Sequence, residues 1–208
     1  MLDFIYNRVS VRKFTNEPVK DADLEEILKA MTYAPTGKNL QNWHVVVVKN
    51  RETIQEMVTA VEKKNRLLAS AIADEKAREQ FEKFAHYATL FHKAPMTVLF
   101  YAGPYPATAA QELEDFGDLE GLAAVNYAAP GIQSVAAGIE NFMLAAAALG
   151  YGTCWMTSPN YAAREIEKVI DLDKEGYHLI AMTPLGVPEK QGSHPARKAL
   201  EEVVTYRL

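Results

Sequence analysis

Arg8, Ser10 and Arg12 recur at a spacing of two, and Lys13 follows directly. In an extended segment that spacing turns all three side chains to one side. A hydroxyl between two guanidiniums receives a phosphate well, because each guanidinium offers bidentate donors to the phosphate oxygens. Arg197 and Lys198, after His194 and Pro195, form a second basic cluster near the other end of the chain. On composition alone, a solvated basic surface is the commoner explanation of such triplets.

Two further segments have the chemistry of ligand loops. Ala34-Pro35-Thr36-Gly37-Lys38-Asn39-Leu40-Gln41-Asn42-Trp43 offers hydroxyls and amides for a polar ligand, or serves as a plain capping loop. Gly150 and Gly152, ahead of Cys154-Trp155-Met156-Thr157, would let backbone N–H groups approach a flat ligand closely. Cys154 sits in an apolar stretch, which favours packing over nucleophilic chemistry. The acids Glu112, Glu114, Asp115, Asp118 and Glu120 have no calcium-loop order and read as a solvated run. Several motifs fail. Trp155 stands where a GxGxxG pattern starting at Gly150 needs its last glycine. Gly37-Lys38 lacks the rest of a phosphate-binding P-loop, no HExxH or GxSxG occurs, and the histidines show no metal-ligand spacing.

The elements that must position these residues alternate between helix and strand. Residues 3–7 suit a short opening helix, and 11–14 a weak strand. Residues 20–33 read as an amphipathic helix with Asp21 as its N-cap and Leu24, Ile27, Leu28 and Met31 on one face. Residues 43–48, WHVVVV, read as a strand buried on both faces, and MTVLFY at 96–101 as a second. The charged stretch 51–91 is helical in character, with Phe81, Phe84, Tyr87 and Phe91 spaced along one helical face. Residues 103–131 are rich in proline, glycine and acids and predict an irregular, mobile excursion. Residues 134–149 are apolar nearly all round, so that helix belongs in the centre of the domain or at a subunit interface. A helix over 161–170 and a strand within 177–187 follow. The tail EEVVTY at 201–206 reads as an exposed or partner-facing strand. The alternation predicts one layered α/β or α+β domain over residues 1–208.

The chain has 208 residues, 49% of them hydrophobic and 24% charged, which excludes disordered and collagen-like classes. Its net charge of −5 lowers the standing of a general nucleic-acid binder. One cysteine, no apolar leader and a longest apolar run of only residues 142–149 predict a cytoplasmic setting without membrane spans.

In this order the segments resemble the nitroreductase family of FMN-dependent NAD(P)H oxidoreductases. The residues that carry the resemblance are Arg8-x-Ser10-x-Arg12-x-Phe14, the loop from Ala34 to Gln41 with Trp43, Ile139-Glu140-Asn141-Phe142, Leu149-Gly150-Tyr151-Gly152-Thr153-Cys154-Trp155, Pro184-Leu185-Gly186-Val187-Pro188, and Arg197-Lys198-Ala199. The resemblance implies an α+β fold: a central, mainly antiparallel sheet wrapped by helices, in a homodimer that exchanges C-terminal strands and holds FMN at its interface. It implies that Arg8 and Arg197 bind the FMN phosphate, with Ser10 on phosphate or ribityl oxygens and Arg12 at the pyrimidine edge. It implies that Pro35, Thr36, Gly37, Lys38, Asn39 and Gln41 contact the flavin from the other subunit, that Trp155, Met156 and Thr157 lie along the ring, and that Asn65 reaches it. Three positions depart from the pattern. Val9 stands where a basic residue is frequent, Pro195 where a lysine is, and Asn42 where a proline is. The first two remove positive charge and predict a looser hold on FMN.

The resemblance implies a ping-pong oxidoreductase that uses NAD(P)H to reduce a nitroaromatic, quinone or similar acceptor, with no side chain as general acid or base. The alternatives are a flavin carrier or sensor and a same-fold enzyme with other flavin chemistry, such as dehalogenation or flavin breakdown.

Overall fold

In the computed structural model, which describes residues 2–190 and 192–207, four strands form one antiparallel sheet in the order β1-β2-β4-β3. These are β1 (Trp43–Val48), β2 (Met96–Ala102), β3 (Gly152–Thr153) and β4 (His178–Gly186). β2 is buried along its whole length because it lies between β1 and β4. Its side chains alternate between two cores. Met96, Val98 and Phe100 face the core shared with α2 (Asp21–Thr32) and α7 (Pro130–Ala148). Leu99 and Tyr101 face the core shared with α3 (Arg51–Ala69) and α8 (Ala163–Val169). Helices thus cover both faces of the sheet. Between Phe100 and Tyr101 the pairing with β4 slips by one residue, and Asn160 donates to the Leu179 and Ile180 carbonyls at that bulge, at 3.2 and 2.8 Å.

Several sequence expectations need correction. β1 is an edge strand, and in a single chain only Val48 is buried, so the WHVVVV run is not covered on both faces. Residues 11–14 form no strand; Ser10 and Phe14 make isolated bridges. α2 begins with Lys20 at its cap and no side-chain capping bond, so Asp21 lies inside the first turn. The charged region divides into α3 and α4 (Glu75–Ala88), capped by Asn50 and Asp74. Phe91 lies beyond α4 in a buried 3₁₀ turn, Leu90–Lys93, away from Phe84 and Tyr87. Residues 103–131 are irregular only in part: 103–109 have no repeating structure, and beyond them the chain folds into α5 (Ala110–Phe116) and α6 (Leu119–Tyr127), the latter capped by Asp118. The apolar helix begins at Pro130 rather than Ser134, because proline is well placed in a first helical turn. In a single chain the tail forms no strand: Leu200–Glu202 forms a 3₁₀ turn, and residues 203–207 have no repeating structure. Within one chain the tail finds no sheet edge to pair with.

Phe142 of α7 is fully buried and meets Phe100 edge-on, with ring centroids 5.2 Å apart. It joins the helix to the middle of the sheet. Phe142→Ala should lower the unfolding free energy by about 3–5 kcal/mol in a urea titration; a loss below about 1 kcal/mol would show that α7 is held by other contacts.

Candidate functional site

The N-terminal segment runs from α1 (Asp3–Asn7) along the edge of β3. Val11 donates its N–H to the Thr153 carbonyl at 2.8 Å, and Thr15 donates to Val187 at 2.9 Å. Val11 and Phe14 are buried against Ala94, with Val9 packed on them. The apolar residues turn inward and hold the strap, so Arg8, Ser10 and Arg12 face outward. They line a cavity of about 570 Å³ together with Val9, Ser193, His194, Pro195 and Arg197. The two basic clusters from opposite ends of the sequence therefore meet. Ser193 and His194 were not singled out for this site from sequence; a polar turn beside Arg197 was the available signal.

Three guanidiniums share this cavity in a protein of net charge −5. The Arg8 Nε lies 3.7 Å from a carboxylate oxygen of Glu140 on α7, an ion pair that steers the side chain without saturating its donors. Such a cavity suits a compact anion with several acceptor oxygens, and a phosphate monoester fits that description.

Beyond β3, Cys154 is buried and donates its N–H to the Thr183 hydroxyl at 3.0 Å. Burial pushes its thiol pKa up, while the Arg12 charge, a hydrogen bond with Ser10 and the Arg8 charge pull it down. Burial prevails, so the thiol stays neutral although it borders the basic cavity. Met156 pairs with Met182 through two backbone bonds of 2.9 and 2.8 Å and is buried, Trp155 is half-buried against the α2–α7 core, and Thr157 is exposed. Gly152 does not leave room for a flat ligand: a Cβ there would lie 2.7 Å from the Val11 side chain, which occupies that space. The glycine serves the close approach of the N-terminal strap.

The loop 35–41 lies elsewhere in the chain. Pro35, Thr36 and Gly37 line a separate cavity of about 480 Å³ with Tyr105, Pro130 and Gln133, and it shares no lining residue with the basic cavity. Thr36 accepts the Gln41 N–H at 3.1 Å across a 3₁₀ turn, Gly37–Asn39. Lys38, Asn39 and Gln41 have φ of 56°, 51° and 47°, so three of the four non-glycine positions 38–41 hold a positive φ. Such residues cost of order 1 kcal/mol or more each and concentrate at ligand clamps. All three are exposed. Asn65 joins neither cavity. It is buried between α3 and α4, donating its amide to the Phe81 carbonyl at 2.9 Å.

The family model of the nitroreductase family matches residues 5–187, and the chain belongs to that family. Its sheet and covering helices are those of the nitroreductase fold. A BluB-like flavoprotein from Clostridium difficile 630 is 39% identical with a TM-score of 0.93, covering 99% of this chain and 98% of the other. YodC of Bacillus subtilis strain 168, provisionally named an NAD(P)H nitroreductase, is 26% identical over 99% of this chain and 98% of its own. A nitroreductase with bound FMN from Desulfitobacterium hafniense DCB-2 has a TM-score of 0.70 at 24% identity, covering 100% and 97% of the two chains. Among the described residues no helix is long and apolar enough to cross a membrane.

Cys154 gives a pH prediction with a definite sign. The fold favours the neutral thiol, so its contribution to stability is full below the ordinary thiol value of 9.0 and is lost as pH rises beyond it. Iodoacetamide at pH 8 should label folded protein at least about tenfold more slowly than urea-unfolded protein. Equal labelling rates would place the thiol in solvent.

Proposed function

We propose that the protein is an FMN-dependent oxidoreductase that takes electrons from NAD(P)H and delivers them to an electron-poor ring such as a nitroaromatic or quinone. The observation that carries this reading is the meeting of Arg8, Ser10, Arg12 and Arg197 in one cavity beside the 153–157 segment. Family membership and the strong likeness to a flavoprotein support it.

Bound FMN would supply hydride transfer through its flavin ring, which leaves the protein the work of holding and tuning. Arg8 and Arg197 hold the phosphate, and Ser10 donates or accepts at a phosphate or ribityl oxygen. Arg12, exposed at the cavity wall, places positive charge by the pyrimidine edge and so favours the reduced cofactor. Trp155, Met156 and Thr157 form a wall along the ring, fixed by the Met156–Met182 backbone pair. Val9 and Pro195 add no charge to the lining, so affinity rests on the three arginines.

A second copy of the chain completes the site in this proposal. Pro35, Thr36, Gly37, Lys38, Asn39 and Gln41 reach the flavin of a partner, which accounts for a strained, exposed loop that shares no cavity with the arginines of its own chain. The exposed Leu200, Val203 and Tyr206 of the tail pack on the partner and extend its sheet. Asn65, buried within its own chain, acts through the α3–α4 packing.

A second reading, a same-fold enzyme with other flavin chemistry such as dehalogenation, is supported by the likeness to an iodotyrosine deiodinase of Nematostella vectensis, 24% identical over 96% of this chain and 72% of its own.

Phosphate recognition separates FMN from riboflavin. Arg8→Ala and Arg197→Ala should each weaken FMN binding by about 10- to 100-fold, as expected for lost charge-assisted hydrogen bonds, and leave riboflavin binding unchanged in a fluorescence titration. Variants that bind FMN like the parent protein would remove these arginines from the site.

A further inference from the structure

The excursion that sequence reading left without a role is attached in an unusual way. α5 and α6 contain no buried residue, and Phe116 and Tyr127 are 86% and 93% exposed. Ala109 and Ala129, which precede α5 and α7, have φ of 65° and 45°, a costly conformation for alanine. The pair of helices therefore gains little from packing on the body, and its position depends on its roots.

Both roots meet one side chain. Asn42 is 5% exposed, and its amide nitrogen donates to the Gly103 carbonyl at 3.2 Å and the Gly131 carbonyl at 3.3 Å. Those residues are the first and last of the excursion. The Gly103 N–H returns a bond of 2.7 Å to the Asn42 carbonyl. The Asn42 Oδ1 is buried without a partner among the described residues, a cost that a smaller apolar side chain would avoid. The two donated bonds are what the residue contributes. The proline that the resembling pattern carries here has no side-chain donor and could form neither.

Tyr105 adds a second tie. Its ring lies against Gly131, and its hydroxyl reaches Gly37 of the cofactor loop so closely that a Cβ at Gly37 would overlap it. The same ring borders two cavities. One is the cavity at loop 35–37; the other, of about 500 Å³, lies between Gly103, Asn126, Gly131, Gly176 and His178.

We propose that Asn42 is a positioning residue that clasps both roots of the 103–131 excursion to loop 35–41. With Tyr105 it makes excursion and loop one body and sets the access of electron acceptors. The clasp stands on the geometry; its consequence for acceptors rests on the function proposed above.

The test is Asn42→Ala in the FMN-loaded protein, read in two ways. Hydrogen exchange should quicken by about tenfold in residues 107–129, the effect of losing about one net hydrogen bond, with α2 and α3 unchanged. KM for 1,4-naphthoquinone should shift at least about threefold while kcat and bleaching by NADH stay within twofold. Parental exchange in the excursion would overturn the clasp, as would protection lost equally in α2 and α3, which marks general destabilisation. An unchanged KM with selectively faster exchange would overturn the acceptor consequence. Tyr105→Leu disturbs no buried hydrogen bond and decides the matter if Asn42→Ala fails to fold: faster exchange confined to 107–129 supports the clasp, and parental rates refute it. A parent protein that does not turn over NAD(P)H would contradict the proposed function, and the exchange comparison would still decide the clasp.

Discussion

The candidate site depends on one seam, the contact between the N-terminal strap and the edge of β3. The Val11–Thr153 hydrogen bond and the burial of Val11 and Phe14 fix that strap. With Val11 inward, the alternation of an extended chain sends Arg8, Ser10 and Arg12 to the other side. Gly152 is where this contact is tightest, since any side chain there would push the strap away. Without the seam, Arg8 and Arg12 would be ordinary surface charges far from Arg197.

Charge is the second constraint. Like charges gathered in one cavity repel, and the Glu140 carboxylate at 3.7 Å from Arg8 offsets only part of that repulsion. A bound dianion would offset more, which makes cofactor binding and the order of the cavity mutually dependent. Next to this field burial still keeps the Cys154 thiol neutral, against the pull of the Arg12 and Arg8 charges.

The sequence disclosed what repeats and what clusters. β2 was legible because each of its side chains is buried, and α7 because an apolar surface nearly all round demands cover. The shared outward side of Arg8, Ser10 and Arg12 was legible because their period of two is also the geometry of the strap. Other features were hidden for physical reasons. β3 has two residues, too few for any pattern. α6 keeps no residue buried, so its periodicity carries no inside and outside, although the Asp118 cap was a usable signal. Val203 and Val204 suit a strand, but strand structure is a relation between two segments and one chain supplies no partner for it. Asn42 was visible as a departure from proline; its two bonds to residues 61 and 89 positions away could not be read from its neighbours.

Spectroscopy of the purified protein tests the central claim most directly. Its absorbance is recorded before and after anaerobic addition of NADH and then NADPH. A cavity built to hold FMN in a reductase predicts a flavin spectrum that one of the nucleotides bleaches. A flavin spectrum that neither nucleotide bleaches would contradict the reductase reading. A colourless protein that also refuses added FMN would contradict the assignment of the arginine cavity to the cofactor phosphate.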